Sequence, residues 1–391
     1  PPRLDAAAIR SNEARWQPLD GLVAETERGI SLKNREALAL GSLISRAINQ
    51  WGVELQMSGQ AAEAKKRFET ARRLGTDNVA ARINLLGNAA TGATVPTEER
   101  RAVQGEVARL RSWVNILTFG GPVYEAGYCF SLGREYQTGN LKRQAIIEYE
   151  KAVELDPRTP IFLLASADAF LQGRLPDRSL DRIGQLRKMP DIFPMNATNG
   201  PVLARMEALA FMAKTNFTRA ENALIVAGRQ WVENPMILAT LTQIYGATGR
   251  LPEALSSVER QIKAQPNDAE AEMTRVAILG QMKQYEKGIE SLNRILLNKP
   301  ADVRALSFRA AMLMDIGDMD KASLDLEAIR RANPKLPISY RGLGEIAAKR
   351  GKTADAIRFY EEAVKYSSAN SMELKQTEDR LKQLKAASAT K

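Results

Sequence analysis

The stretch LGREYQTGN places Gly133 and Gly139 beside the basic pair Lys142 and Arg143, and Cys129 lies four residues upstream. Glycines next to cations are what a phosphate-cradling loop uses. That chemistry needs Gly-x-x-x-x-Gly-Lys-Ser/Thr after a strand, and this stretch has neither the Lys-Ser/Thr pair nor a strand-like run before it. The chain has one cysteine and no histidine. It therefore has no imidazole to serve as a general base, to ligate a metal or to complete a triad, no internal disulfide framework and no multi-cysteine metal site. The acidic pairs Glu98–Glu99 and Glu361–Glu362 are sequence neighbours, which diverge by about 100° on a helix and do not converge on one atom. Asn196 and Asn216 start Asn-x-Thr sequons, which arise readily by chance. No catalytic, metal or cofactor residue is assigned, and packing is the expected role of the two glycines.

The elements that must position these residues are helices. Only 6% of the 391 residues are aromatic, and alternating Val/Ile/Thr runs are scarce, so the fold class is all-α. The formal charge is +10, from 56 basic and 46 acidic residues. Its clusters, such as Lys65, Lys66 and Arg67, sit among glutamates on solvated faces, which disfavours nucleic acid and leaves a mild preference for an acidic partner. No window approaches the length of apolar chain that crosses a bilayer. The sequence opens PPRLDAAAIR, without an initiator Met or a signal region, and reads as a processed or excised part of a longer protein. Compartment, and any tether to an upstream membrane domain, are not legible.

A fixed period organises the chain. Pro266, Pro300 and Pro334 stand 34 and 34 residues apart, and Ala254, Gly288 and Ala322 precede them by 12 each. The grid extends to Gly351, Ala356, Tyr360 and Ala363, and recurs at Trp51, Gly59, Ala64, Phe68 and Ala71. It also returns through Gly133, Tyr136, Ala145, Tyr149 and Ala152, where Gly139 and Pro157 are expected to turn the chain. These residues resemble the tetratricopeptide repeat, a pair of antiparallel helices. The resemblance implies a right-handed α-solenoid in which each unit's apolar face is covered by its neighbours. The expected units lie near 45–78, 79–112, 126–159, 160–190, 201–234, 235–268, 269–302, 303–336 and 337–370. Small residues at the eighth and twentieth positions let the two helices approach, and large ones at the fourth, seventh, eleventh and twenty-fourth fill the space between.

A helical cap is expected over 1–44, and a capping helix with a disordered tail over 371–391. TGATVPTEER at 91–100 reads as a loop that starts the next helix. KMPDIFPMNATNGP at 188–201 reads as a loop that docks on its own scaffold through Ile192, Phe193 and Met195.

The resemblance also implies a concave groove lined by the second, fifth, ninth and twelfth positions of each first helix. Here these supply Arg46, Asn49, Arg134, Gln137, Arg205, Met212, Gln243, Met273, Arg304 and Arg341. Such a mixture suits an extended protein or peptide segment, held by forks to carboxylates and backbone amides and by adaptable thioethers. The function expected is a non-catalytic interaction scaffold. The clamp for chaperone tails is not reproduced: Asn84 fills one slot, but Asn49 and Val53 occupy the others. A second resemblance, carried by WGVELQ, NVAARIN and LKRQA over roughly 30–190, is to the soluble repeat tail of bacterial membrane proteins with a protein O-mannosyltransferase-like region. It implies an assembly or regulatory tail of a membrane-embedded glycosyltransferase.

Overall fold

The computed structural model describes residues 4–88, 97–110, 113–231, 233–369 and 371–389. These residues form α-helices and one short 3-10 turn, with no strand among them. Contacts divide the chain into two compact units, residues 1–195 and 196–391. The first holds α1 (Ala6–Trp16), α2 (Asp20–Ser31), α3 (Arg35–Met57), α4 (Ala61–Leu74), α5 (Val79–Gly87), α6 (Thr97–Leu110), α7 (Trp113–Gly120), α8 (Ala126–Thr138), α9 (Lys142–Leu155), α10 (Pro160–Gln172) and α11 (Pro176–Arg187). The second holds α12 (Asn199–Ala213), α13 (Phe217–Gln230), α14 (Pro235–Ala247), α15 (Leu251–Ala264), α16 (Ala269–Gln281), α17 (Tyr285–Asn298), α18 (Val303–Asp315), α19 (Met319–Ala332), α20 (Pro337–Lys349), α21 (Thr353–Tyr366) and α22 (Met372–Ala389).

Successive helices pack as antiparallel pairs such as α3 with α4, α8 with α9 and α20 with α21. The turn inside each pair follows one geometry. Its fifteenth residue is left-handed in eight units: Gly59, Asn140, Arg174, Thr215, Gly249, Lys283, Gly317 and Gly351, with φ between 56° and 87°. The next residue then donates its N–H back to the carbonyl at the eleventh position, for example Leu141 to Tyr136 at 2.8 Å and Arg250 to Tyr245 at 2.8 Å. This is the Schellman closure of a helix C-terminus. It corrects one expectation: the residue that reverses the chain near α8 is Asn140, whereas Gly139 keeps a negative φ of −76°. The junction between units is capped with equal regularity. Asn78, Asn234, Asp268 and Asp302 end their units, and each side chain accepts from backbone N–H groups of the following helix.

The core of a pair forms where the eighth and twenty-fourth positions meet. A glycine at the eighth faces an aromatic ring at the twenty-fourth. A Cβ on Gly52 would lie 2.5 Å from the Phe68 ring, one on Gly133 2.7 Å from Tyr149, and one on Gly344 3.0 Å from Tyr360. Where the eighth residue is larger, the twenty-fourth is aliphatic: Ala167 with Ile183, Ala208 with Leu224, Thr242 with Val258, Val276 with Leu292 and Ala310 with Leu326, all buried. Volume is conserved across the contact, as a close-packed interior requires. The twentieth positions Ala64, Ala145, Ala254, Ala322 and Ala356 are likewise buried.

The N-terminal helix α1 is tied down through Glu13, which accepts from the Trp51 indole at 2.8 Å and pairs with Arg67. At the other end α22 packs on α21, with Lys385 to Glu361 at 2.7 Å. Ala386 to Ala389, expected as tail, continue this helix. In the 188–201 segment Phe193 is buried, while Ile192 and Met195 are exposed. The loop expected at 91–100 lies outside the described residues as far as residue 96, and α6 begins at Thr97. Both sequon asparagines serve local structure: Asn196 accepts from the Thr198 and Asn199 N–H groups, and Asn216 caps α13. Among the described residues no helix is long and apolar enough to cross a membrane.

Candidate functional site

First helices of neighbouring pairs touch one another, as α12 does α14 and α18 does α20, so their side chains form a continuous face within each unit. The ten residues expected on this face fall into three groups. Arg46, Arg134, Arg205 and Gln243 are exposed, and no acidic side chain pairs with the three arginines among the described residues. Met212 is half-buried against the apolar cluster around Ala208 and Leu224.

Three more are engaged within the chain. Gln137 donates to Asp168 at 2.8 Å and accepts from the Tyr149 hydroxyl at 2.6 Å. Arg304 forks one nitrogen to both oxygens of Glu270, 34 residues earlier, at 2.8 and 2.9 Å. Arg341 lies 3.8 Å from Glu373 on α22. Burial raises the Tyr149 pKa, with the Arg134 charge opposing and Asp168 adding to the shift, so the Gln137–Tyr149 link stays protonated at neutral pH.

The last two are corrections. Met273 is 5% exposed and belongs to the α16–α20 core with Leu306 and Ala310. Asn49 is fully buried: its Nδ2 donates to the carbonyls of Gly120 at 2.9 Å and Pro122 at 3.0 Å, and its Oδ1 accepts from Asn84 at 2.9 Å. The sequence reading treated the fifth position as open to solvent. Here a segment more than 70 residues downstream covers it.

That segment, residues 120–124, starts at Gly120, the last residue of α7, and residues 121–125 lead into α8 without helical structure. Asn84 grips it at two points, donating to the Pro122 carbonyl at 2.9 Å and accepting from the Tyr124 N–H at 2.7 Å. Gln56 donates to the Tyr124 carbonyl at 3.1 Å, and its own oxygen accepts from Asn88 at 3.0 Å. Side-chain amides of α3 and α5 thus hold backbone groups of an irregular segment, which would otherwise be buried without partners. Gln56 and the crossing segment 120–124 carry no signal in the sequence, because no local pattern marks a chain segment that crosses another element.

Cys129 fills the repeat's fourth position and is 1% exposed. Burial, with Glu148 nearby, pushes its thiol up to about 12, so it is a packed thiol and not a nucleophile at neutral pH.

The architecture defines an all-α array of two-helix units with one repeated turn, one repeated cap and one repeated core contact. Tetratricopeptide repeat models match residues 126–159 and 313–371. The chain thus carries tetratricopeptide repeats over these two segments, within an all-α array of the same kind of unit. No curated protein matches it. Similar solved structures include the C-terminal part of a TPR repeat-containing protein from Cytophaga hutchinsonii, at 15% identity and TM-score 0.49, over 63% of this chain and 98% of that one. MamA from Desulfovibrio magneticus RS-1 aligns at 19% identity and TM-score 0.39, over 47% of this chain and 99% of that one. YrrB, a TPR protein with an unusual peptide-binding site, aligns at 14% identity and TM-score 0.39, over 47% and 93%.

Proposed function

We propose that the chain is a non-catalytic scaffold that binds extended protein or peptide segments along the first-helix face of each unit, with Arg134 among the contacts in the first unit and Arg205, Met212 and Gln243 among those in the second. The observation that carries this reading is the treatment of residues 120–124. Three amide side chains from first helices take hold of this segment by its backbone carbonyls and N–H group, which is the chemistry an incoming peptide would meet. Exposed Arg134 and Arg205 add forks for carboxylates, which favours an acidic segment. Arg304 and Arg341 would first have to leave Glu270 and Glu373, so they contribute less. The test is a fluorescence-anisotropy titration of peptides selected from a random library on the whole chain. Replacing Arg134, Arg205 and Gln243 together by Ala should weaken binding at least tenfold with the helical signal unchanged. Unchanged affinity would remove the face from consideration.

A further inference from the structure

A recess lies in the first unit, where α5, α6, the start of α7 and the start of α8 meet. It encloses about 360 Å³, within the usual range for a site that takes a small group. Its walls are of three kinds. Ile83, Val103 and Val107 are aliphatic. Trp113 and Tyr128 form an aromatic pair with ring centroids 4.7 Å apart and planes tilted by 59°. Glu125 supplies a carboxylate at the rim.

The carboxylate has spare capacity. One oxygen of Glu125 accepts from the Tyr128 N–H at 2.9 Å, capping α8. No lysine or arginine pairs with it among the described residues, although the chain carries ten more basic than acidic side chains. Space for it is made by glycine. A Cβ on Gly87 would come within 2.7 Å of the Glu125 Cγ, and one on Gly127 within 3.1 Å of its Oε2.

We propose that this recess binds the basic side chain, Lys or Arg, of a peptide partner. The aliphatic stem would lie against Ile83, Val103 and Val107, and the cation would meet the aromatic pair and Glu125. An aliphatic stem ending in a cation matches such walls: apolar surface takes the methylenes, ring faces attract the charge, and an ionised acceptor strengthens the hydrogen bond. A wholly apolar occupant would bury one face of the carboxylate without compensation. This site extends the scaffold reading, since it selects the opposite charge to that favoured by Arg134 and Arg205.

The experiment uses the whole chain and four otherwise identical Ala/Ser dodecapeptides carrying one Lys, Arg, norleucine or Glu, titrated by calorimetry. The Lys and Arg peptides should bind at least tenfold more tightly than the norleucine and Glu peptides, and Glu125→Gln, which retains the capping oxygen, should remove that preference. Trp113→Leu should weaken the Lys peptide several-fold. Equal affinity for Lys and norleucine, no binding of either basic peptide, or full preference retained in Glu125→Gln would each overturn the assignment. Equal affinity for free n-butylamine and the Lys peptide would overturn the peptide as its source. The Lys-to-norleucine comparison on the unaltered protein needs no variant to fold. Failure at this recess with intact loss in the Arg134, Arg205 and Gln243 variant would leave the first-helix face standing.

Discussion

Residues 113–125 and the run from α14 to α21 solve the same problem in different ways. Both must cover the faces of first helices. From α14 to α21 the covering is done by neighbouring pairs, as in the apolar core that joins Met273 and Val276 of one pair to Leu306 and Ala310 of the next and Leu343 and Ile346 of the one after. At 113–125 the register of the array is interrupted by an extra helix and an irregular segment, and the first-helix face is covered by the chain's own backbone, gripped by Asn49, Gln56 and Asn84. Repetition lets generic apolar residues specify the structure. An interruption needs specific polar partners, because the carbonyls and N–H groups of an irregular segment cannot be buried unsatisfied.

The largest effect should come from the polar region. Asn84→Ala removes one of the two donors to the Pro122 carbonyl and the Asn84 bonds to the Tyr124 N–H and the Asn49 oxygen, and should cost about 3 kcal/mol by chemical denaturation. An unchanged midpoint would mean that apolar packing alone holds residues 120–124. In the repeating region Ala254→Leu overfills a fully buried contact and should cost about 2 kcal/mol. A smaller loss, about 1–2 kcal/mol, is expected for Gly133→Ala, whose Cβ would meet the Tyr149 ring. Most of that loss should vanish when Tyr149 is already Leu, since Ala with Leu is the pairing found at Ala208–Leu224. Strict additivity in this double-mutant cycle would contradict the size rule. The smallest effect is a gain: Thr215→Gly relieves a β-branched residue at φ 56° and should stabilise by about 0.5–1 kcal/mol. Separately, Cys129 should resist iodoacetamide at pH 8 in the folded protein and react once denaturant is added, because its thiol is held up to about 12.

Much of the repeating region was legible from residue types alone. The small eighth and twentieth positions and the large twenty-fourth follow from the 34-residue grid, and they mark the contacts at Gly133–Tyr149 and Gly344–Tyr360. The turn was legible where glycine supplies it, at Gly59, Gly249, Gly317 and Gly351. It was hidden where Asn140, Arg174, Thr215 and Lys283 adopt the same left-handed backbone, because the Schellman closure and the surrounding helix pair impose it on residues that disfavour it locally. The candidate face was legible only in part. Arg134, Arg205 and Gln243 emerge exposed, as their positions in the repeat imply. Asn49 does not, because what covers it arrives from residues 120–122, and Met273 does not, because neighbouring units close over it. Both failures are long-range: periodicity gives the direction of a side chain from its own helix, but not what another segment lays across it.

On the proposed reading the first-helix face, and not the surface of the second helices, receives the partner. The most direct measurement is the anisotropy titration of one selected peptide against two variants of the whole chain. One carries Ala at Arg134, Arg205 and Gln243, and the other carries Ser at the exposed second-helix residues Leu297 and Leu324. At least a tenfold loss is expected in the first variant and unchanged affinity in the second. Loss in the second with full affinity in the first would contradict this reading.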